Sequence, residues 1–167
     1  YEFLGDEDIS FDRYTSEAFF QREMELMWPR TWQWACREEH VPDVGDTYVY
    51  DIGPYSIIVV RSADETIEAF LNSCTHRGTR LLAGEGSGYS PSFTCPFHGW
   101  SWKLDGSIRD IPARWDFPHV CHETHDLQRV SCERWGGFVF VNIDTDAKPL
   151  LDYLDVLPEH FKHFPLD

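Results

Sequence analysis

Two short segments that each carry one cysteine and one histidine constrain the fold of this chain most strongly. They are Cys74-Thr75-His76 and Cys95-Pro96-Phe97-His98, and residues 77–94 separate them. Thiolate sulfur and imidazole nitrogen are common protein ligands of transition metals. If the four side chains serve one metal centre, the two segments must be loops that the fold brings to one place.

The pattern of apolar residues predicts an all-β domain, a sandwich or small barrel, with a helix near each end. Residues 16–28 show helical spacing, and residues 150–163 are expected to form a shorter helix. The apolar stripe of the first helix consists of Phe20, Met24, Met27 and Trp28. Glycine and proline turn signals separate the short strands between the helices. The expected strands are 32–37, 47–52, 55–61, 66–72, 92–95, 130–135 and 138–143.

Two local expectations accompany this pattern. In the first strand, Trp32, Trp34 and Cys36 alternate with more polar residues, so these three side chains should share the buried face. The glycine-rich residues 84–88 are expected to form a flexible loop, because no helix follows them as it would in a dinucleotide-binding turn.

Charge and composition exclude several classes of function. The formal net charge of −15 argues against a nucleic-acid partner and against an anionic membrane surface. The longest aliphatic run, residues 57–60, is too short to span a bilayer. Five cysteines is an odd number in a chain long enough to fold without disulfides. We therefore expect a reducing, cytoplasmic compartment, with Cys36, Cys121 and Cys132 as buried small side chains.

The mixed Cys and His segments fit one metal centre better than others. A [2Fe–2S] cluster in which two histidines replace two cysteines on one iron requires this ligand set. A structural zinc site remains an alternative, although zinc patterns usually pair like ligands. Two unrelated core cysteines beside two histidines are a second alternative. Gly78 and Gly99 would let the backbone approach the cluster sulfides and offer N–H donors, while Trp100 would exclude water.

The segments resemble the Rieske motif, and the wider sequence resembles one branch of that family. Cys74-Thr-His76-Arg-Gly78 and Cys95-Pro-Phe-His98-Gly99-Trp100 are similar to its two cluster loops. Residues 28–33, Asn72 and residues 134–142 look typical of the large (α) subunit of Rieske non-haem iron oxygenases. The resemblance implies small antiparallel sheets with two cluster-binding loops. It also implies that Cys74 and Cys95 bind one iron, and that His76 and His98 bind the other.

The same resemblance implies a second metal site that this sequence lacks. Those oxygenases also hold a mononuclear Fe(II), with a motif in which four residues separate two histidines. None of the eight histidine positions is five residues from another, so we expect no catalytic residue in this chain. We interpret it as a fragment with a lead-in at 1–37, the Rieske domain at 38–145, and a linker into a catalytic domain at 146–167.

The resemblance further implies partners for the intact protein. These are a ferredoxin or flavin reductase as electron donor, and a homotrimer or αβ assembly that oxidises an organic, aromatic substrate with O₂. A stand-alone Rieske ferredoxin and a zinc-stabilised interaction module remain the alternatives. A basic collar around the cluster is a further hypothesis, weighed against scattered charges and internal ion pairs. Its members would be Arg77, Arg80, Lys103, Arg109 and Arg114.

Overall fold

Two antiparallel sheets form the body of the domain. The computed structural model describes residues 5–166. The larger sheet has seven strands in the order β1-β10-β9-β4-β3-β2-β5, and the smaller has the order β6-β7-β8. The strands are β1 Gln33–Arg37, β2 Asp46–Ile52, β3 Tyr55–Ala63, β4 Thr66–Leu71, β5 Gly86–Tyr89, β6 Phe93–Thr94, β7 Ser101–Trp102, β8 Ile108–Asp110, β9 Arg129–Trp135 and β10 Phe138–Asn142. The predicted all-β class is thus confirmed.

Short helices lie outside the sheets. They are α1 Asp12–Thr15, α2 Glu17–Leu26, α3 His122–His125, α4 Leu150–Leu154 and α5 Leu157–Phe161, with 3₁₀ turns at Trp28–Arg30, Glu38–His40 and Arg114–Asp116. Ser16 caps α2, because its hydroxyl accepts the backbone N–H of Phe19 at 3.3 Å. Among residues 5–166, no helix is long and apolar enough to cross a membrane.

Strand β3 supplies side chains to two hydrophobic cores. Ile58 and Val60 belong to a core beneath the smaller sheet, whereas Ile57 and Val59 belong to a core on the opposite face. Side chains alternate between faces along a strand, so the uninterrupted aliphatic run reflects burial on both sides. The first of these cores also contains Cys74 and Cys95, so the candidate ligands lie at the edge of well-packed structure.

Helix α2 is shorter and more exposed than the pattern predicted. It ends at Leu26, and Trp28 lies in the 3₁₀ turn that contains Pro29. Met24 is buried, but Phe20 and Met27 are exposed. The helix therefore packs against the domain mainly through Met24, one residue of its predicted apolar stripe.

A bulge in β1 makes the expectation for Trp34 wrong. The pairing of β1 with β10 shifts register between Trp34 and Cys36, which changes the face that each side chain occupies. As a result Trp32 and Cys36 are buried, while Trp34 is 57% exposed. Its indole packs edge-on against Phe138, with ring centroids 5.1 Å apart.

Two other expectations also need correction. The glycine-rich segment is not simply a flexible loop: residues 86–89 form β5, the edge strand that pairs with β2. The tail is not one helix but two, because Asp155 has a positive φ of 51° between α4 and α5. A residue with a positive φ cannot continue a right-handed helix.

Candidate metal centre

The two predicted segments are loops that meet at one place. The first follows β4, and the second connects β6 to β7. The thiols of Cys74 and Cys95 lie close enough to shift each other's pKa, and each residue is 2% exposed. The imidazoles of His76 and His98 have ring centroids 4.8 Å apart. The fold thus pairs the two thiols and pairs the two imidazoles, each pair taking one member from each loop.

Both loops are closed by the same backbone hydrogen bonds, despite their different Cys–His spacing. In the first loop, Cys74 N–H donates to the carbonyl oxygen of Thr79 at 2.8 Å, and Gly78 N–H donates to that of Cys74 at 2.7 Å. In the second, Cys95 N–H donates to Trp100 at 2.8 Å, and Gly99 N–H to Cys95 at 3.0 Å. The two five-residue segments, Cys74 to Gly78 and Cys95 to Gly99, are therefore equivalent turns.

The glycines serve the shape of these turns. Gly78 has a φ of 73° and Gly99 a φ of 75°, a left-handed conformation that glycine adopts without steric cost. Their N–H groups, however, bond to the cysteine carbonyl oxygens within each loop. The donor role expected of the glycine N–H groups is filled by neighbouring residues.

Backbone N–H groups between cysteine and glycine point at the sulfurs. Burial alone would raise the pKa of the Cys95 thiol, but N–H donors of His98 and Phe97, with the hydroxyl of Thr79, hold it below its ordinary value. Burial raises the pKa of Cys74, and the nearby thiol of Cys95 raises it further. The second loop thus stabilises negative charge on the sulfur of Cys95, as a metal thiolate requires.

The two histidines have different surroundings. His98 is exposed, whereas His76 is half-buried. Burial lowers the pKa of His76, and positive charge at His98, Arg77 and His125 lowers it further, which favours the neutral imidazole. Among the described residues, its Nδ1 is the buried side-chain nitrogen or oxygen that has no hydrogen-bond partner. A buried neutral nitrogen without a partner fits a metal ligand, since such atoms are otherwise satisfied.

Aromatic rings surround the imidazole pair. The indole of Trp100 stacks on His76, and the ring of Phe117 lies edge-on to both. On the outer side, Phe97 is 62% exposed beside His98. Phe117 was missed in the sequence because it lies nineteen positions after His98. No spacing signal connects it to the loops.

Two side chains outside the motif tie the first loop to the rest of the domain. Asn72 is buried and bonds to the backbone of Leu81 and Leu82, where the loop returns. The Thr75 hydroxyl donates to the carbonyl oxygen of His125 at 2.8 Å. The sequence resemblance includes Asn72 but gives it no role. Nothing in the sequence predicts the contact between Thr75 and α3.

Three of the five basic residues of the hypothesised collar have other surroundings in the structure. The guanidinium of Arg80 lies 2.8 Å from the carboxylate of Asp51. Lys103 and Arg109 line a recess with Ser62 that contains no residue of either cluster loop. The internal ion pairs and scattered charges weighed against the collar describe these three residues better.

The arrangement does not converge on a single ion. Within residues 5–166, no group of three or more His, Cys, Asp or Glu side chains is placed to hold one metal ion. A tetrahedral zinc site needs four donors around one point. A dinuclear cluster of this kind takes two protein ligands on each of its two metal atoms.

Comparison with known proteins places the chain in a family. Residues 31–124 match the family described as the Rieske [2Fe-2S] domain. The chain belongs to this family. Its Rieske domain implies a [2Fe–2S] cluster, and the loops described above, each with one cysteine and one histidine, lie within the matched residues.

This Rieske domain is similar to the large subunits of oxygenases. It is 33% identical over 151 residues to biphenyl 2,3-dioxygenase subunit alpha of Rhodococcus jostii (strain RHA1), covering 90% of this chain and 33% of that subunit. It is also 33% identical over 141 residues to the carnitine monooxygenase oxygenase subunit of Escherichia coli (strain K12), covering 84% of this chain and 37% of that subunit. The chain thus spans about a third of the length of the curated relatives it matches.

Solved structures agree with the sequence comparison. Naphthalene 1,2-dioxygenase with indole bound in its active site superposes with a TM-score of 0.81 at 30% identity, covering 89% of this chain and 34% of that one. A quaternary ammonium Rieske monooxygenase gives a TM-score of 0.82 at 30% identity, covering 90% and 41%. The predicted resemblance to a Rieske oxygenase α subunit is confirmed.

Proposed function

We propose that this domain holds a [2Fe–2S] cluster between its two loops and transfers one electron at a time within a Rieske oxygenase. The observation that carries the proposal is the convergence of two buried thiols and two adjacent imidazoles from separate loops. The unpartnered Nδ1 of His76 adds support, because a metal would complete its coordination. The cluster, when bound, accepts and releases an electron.

The proposed ligands are divided by atom type. Cys74 and Cys95 would bind one iron, and His76 and His98 the other. Support comes from the proximity of the two thiols, which shift each other's pKa, and from the close approach of the two imidazoles. Neutral imidazole in place of thiolate makes the cluster less negative, which raises its reduction potential above that of an all-cysteine cluster.

Neighbouring residues have supporting roles in this proposal. Gly78 and Gly99 set the turns that aim backbone N–H groups at the sulfurs. Hydrogen bonds to cluster sulfurs and exclusion of water both control the reduction potential. Trp100, at 2% exposure, is the ring that shields the buried side of the centre.

The wider proposal concerns the intact protein. There, electrons from a ferredoxin or flavin reductase would pass through the cluster to a mononuclear Fe(II) in a catalytic domain, where O₂ oxidises an organic substrate. Relatives named for biphenyl and for carnitine are each 33% identical to this chain, so an aromatic substrate, as the resemblance implies, and an aliphatic one are both candidates. Inter-subunit electron transfer in a similar quaternary ammonium Rieske monooxygenase supports an assembly of several subunits, for which we propose a homotrimer or an αβ assembly. The division at residues 37 and 145 remains a prediction.

Metal analysis with a visible spectrum tests the cluster. Protein made with ample iron and sulfide should be red-brown and contain about two iron atoms and two sulfides per chain. Its absorption should bleach on one-electron reduction and return on oxidation. One zinc per chain without iron would overturn the proposal and favour the zinc module.

Ligand variants test the assignment. Cys74→Ser, Cys95→Ser, His76→Ala and His98→Ala should each lose most of the cluster absorption. Cys121→Ser and His160→Ala are the matched controls, because they change the same residue types outside the loops, and both should load normally. Full loading of a ligand variant would contradict that residue's role.

The intact gene product tests the wider proposal. It should bind iron beyond that of the cluster, and reduced protein should consume O₂ only when substrate is present. A product that binds cluster iron alone and exchanges electrons freely would instead be a stand-alone carrier.

A further inference from the structure

The imidazole of His76 lies flat against the indole of Trp100. Their ring centroids are 4.6 Å apart and the planes differ by 6°, which is a stacked pair. Such pairs contribute beyond the apolar area they bury. Trp100 itself is 2% exposed and belongs to the core beneath the smaller sheet, so its indole is a fixed surface.

A third ring completes the enclosure. Phe117 lies edge-on to His76, at 80° and 5.8 Å between centroids, and edge-on to Trp100, at 84° and 5.4 Å. It is half-buried and packs against the same core as Trp100. Trp100 and Phe117 together form an aromatic box around one face and one edge of the imidazole.

Among the side chains that the structure describes, none encloses His98 in a comparable way. It is exposed, and the ring nearest to it, Phe97, lies at 3.9 Å between centroids but is itself 62% exposed. An exposed ring on a loop offers little resistance to rotation. The two imidazoles of the pair are therefore held to different degrees.

We propose that Trp100 and Phe117 are positioning residues, which fix the ring plane of His76 and thereby the direction of its Nδ1 lone pair. This rests on the proposed function, in which His76 is a cluster ligand. The lone pair of an imidazole nitrogen lies in the ring plane. Neighbouring rings that fix this plane therefore restrict the directions in which the nitrogen can bind a metal. Packing that locks a ligand's orientation is a general requirement of precise metal sites.

The experiment compares substitutions of the box in cluster-loaded protein. Trp100→Phe keeps an aromatic face, whereas Trp100→Leu removes it but remains apolar. Trp32→Leu is the matched control for loss of a buried indole, since Trp32 packs with Leu150 and Leu154 in a separate core. Phe97→Leu is the control for a ring beside the other histidine. The readouts are the two ¹⁴N couplings in pulsed EPR of the reduced cluster, its midpoint potential, and the rate of cluster loss to a chelator.

Trp100→Leu should broaden one of the two ¹⁴N couplings and shift the potential. It should also accelerate cluster loss about twofold to tenfold, the factor expected from losing one ring-stacking contact. Trp100→Phe should restore most of each readout, and both controls should keep the unmutated couplings and potential. A structural role alone would make Trp32→Leu and Trp100→Leu behave alike.

Couplings and potential in Trp100→Leu that match the unmutated domain would overturn the inference and leave the proposed function intact. An unmutated chain that takes up no cluster would overturn the proposed function, and this inference with it. If Trp100→Leu does not fold, Phe117→Leu carries the same test, because it removes the edge contact at a half-buried position. It should then broaden the same single coupling, and an unchanged spectrum would refute the role of the box.

Discussion

The side-chain amide of Asn72 pairs with the backbone of Leu82 as a neighbouring strand would. Its oxygen accepts the Leu82 N–H at 2.9 Å, and its nitrogen donates to the Leu82 carbonyl oxygen at 2.8 Å. The same oxygen accepts the N–H of Leu81 at 3.0 Å, and the nitrogen also donates to the Ser56 hydroxyl at 3.1 Å. One buried amide thus closes the base of the first cluster loop.

Removing this amide should destabilise the domain. Asn72→Ala leaves the backbone N–H groups of Leu81 and Leu82 without their acceptor, so we expect the free energy of unfolding to fall by about 2–4 kcal/mol. Urea unfolding measures it. Asn142→Ala is the control: Asn142 is equally buried but accepts the Asp144 N–H in a turn at 3.1 Å, and its loss should be smaller. Equal losses in the two variants would contradict the special role of Asn72.

The candidate metal ligands could be predicted from the sequence because the two ligands of each loop lie close together along the chain. Each cysteine lies two or three positions from its histidine, and a left-handed turn needs a glycine that the sequence displays. The strands could be predicted because β3 contains the aliphatic run of residues 57–60 and its neighbours are bounded by turn residues. These features depend on residues close together in the chain.

What the sequence did not reveal depends on contacts between distant segments. Phe117 reaches His76 across forty-one positions, and Thr75 reaches His125 across fifty. The exposure of Trp34 follows from a bulge whose register is set by pairing with β10. Strand β5 forms because β2 offers a free edge, although glycines disfavour strands on their own.

Alanine substitutions at the two loop glycines should distinguish the cost of backbone strain from the cost of steric contact. Their φ angles are nearly equal, but a Cβ on Gly78 would be 3.9 Å from the nearest side-chain atom, whereas one on Gly99 would be 3.3 Å from Cγ of Pro112. Gly78→Ala should therefore cost about 1 kcal/mol, from the left-handed conformation alone. Gly99→Ala should cost more, about 2 kcal/mol, because Pro112 must also move.

Chemical unfolding of both variants measures this difference. Cluster absorption should persist in Gly78→Ala, since the turn is strained but not blocked. A larger loss of stability in Gly78→Ala than in Gly99→Ala would show that the contact with Pro112 is unimportant.

The ion pair between Asp51 and Arg80 should make stability depend on acid pH. Burial would raise the pKa of Asp51, but hydrogen bonds from Ser56 and Arg80 and the charge of Arg80 outweigh it, so the pKa lies below its ordinary value of 3.8. A lowered pKa in the folded state stabilises the fold above the unfolded value, and this contribution is lost as pH falls through the folded value.

Asp51→Asn tests this linkage. Because the pair is partly exposed, we expect a loss of less than about 1 kcal/mol at pH 7, shrinking towards zero near pH 3 and weakened by salt. Urea midpoints at the two pH values measure it, with Asp43→Asn as the control for removal of an exposed carboxylate. A difference between Asp51→Asn and the parent that stays constant with pH would contradict the lowered pKa.

The thiol of Cys36 should be chemically silent in the folded domain. Burial, together with the negative charge of Glu38, raises its pKa to about 12. At pH 8 only about one such thiol in ten thousand is ionised, and the thiolate is the form that reacts with iodoacetamide.

Cys121 is the control, because it is only half-buried. Mass spectrometry after brief alkylation should find Cys121 modified and Cys36 intact. Comparable labelling of both would mean that β1 opens readily from β10, since the buried thiol reacts only when the strand pair separates.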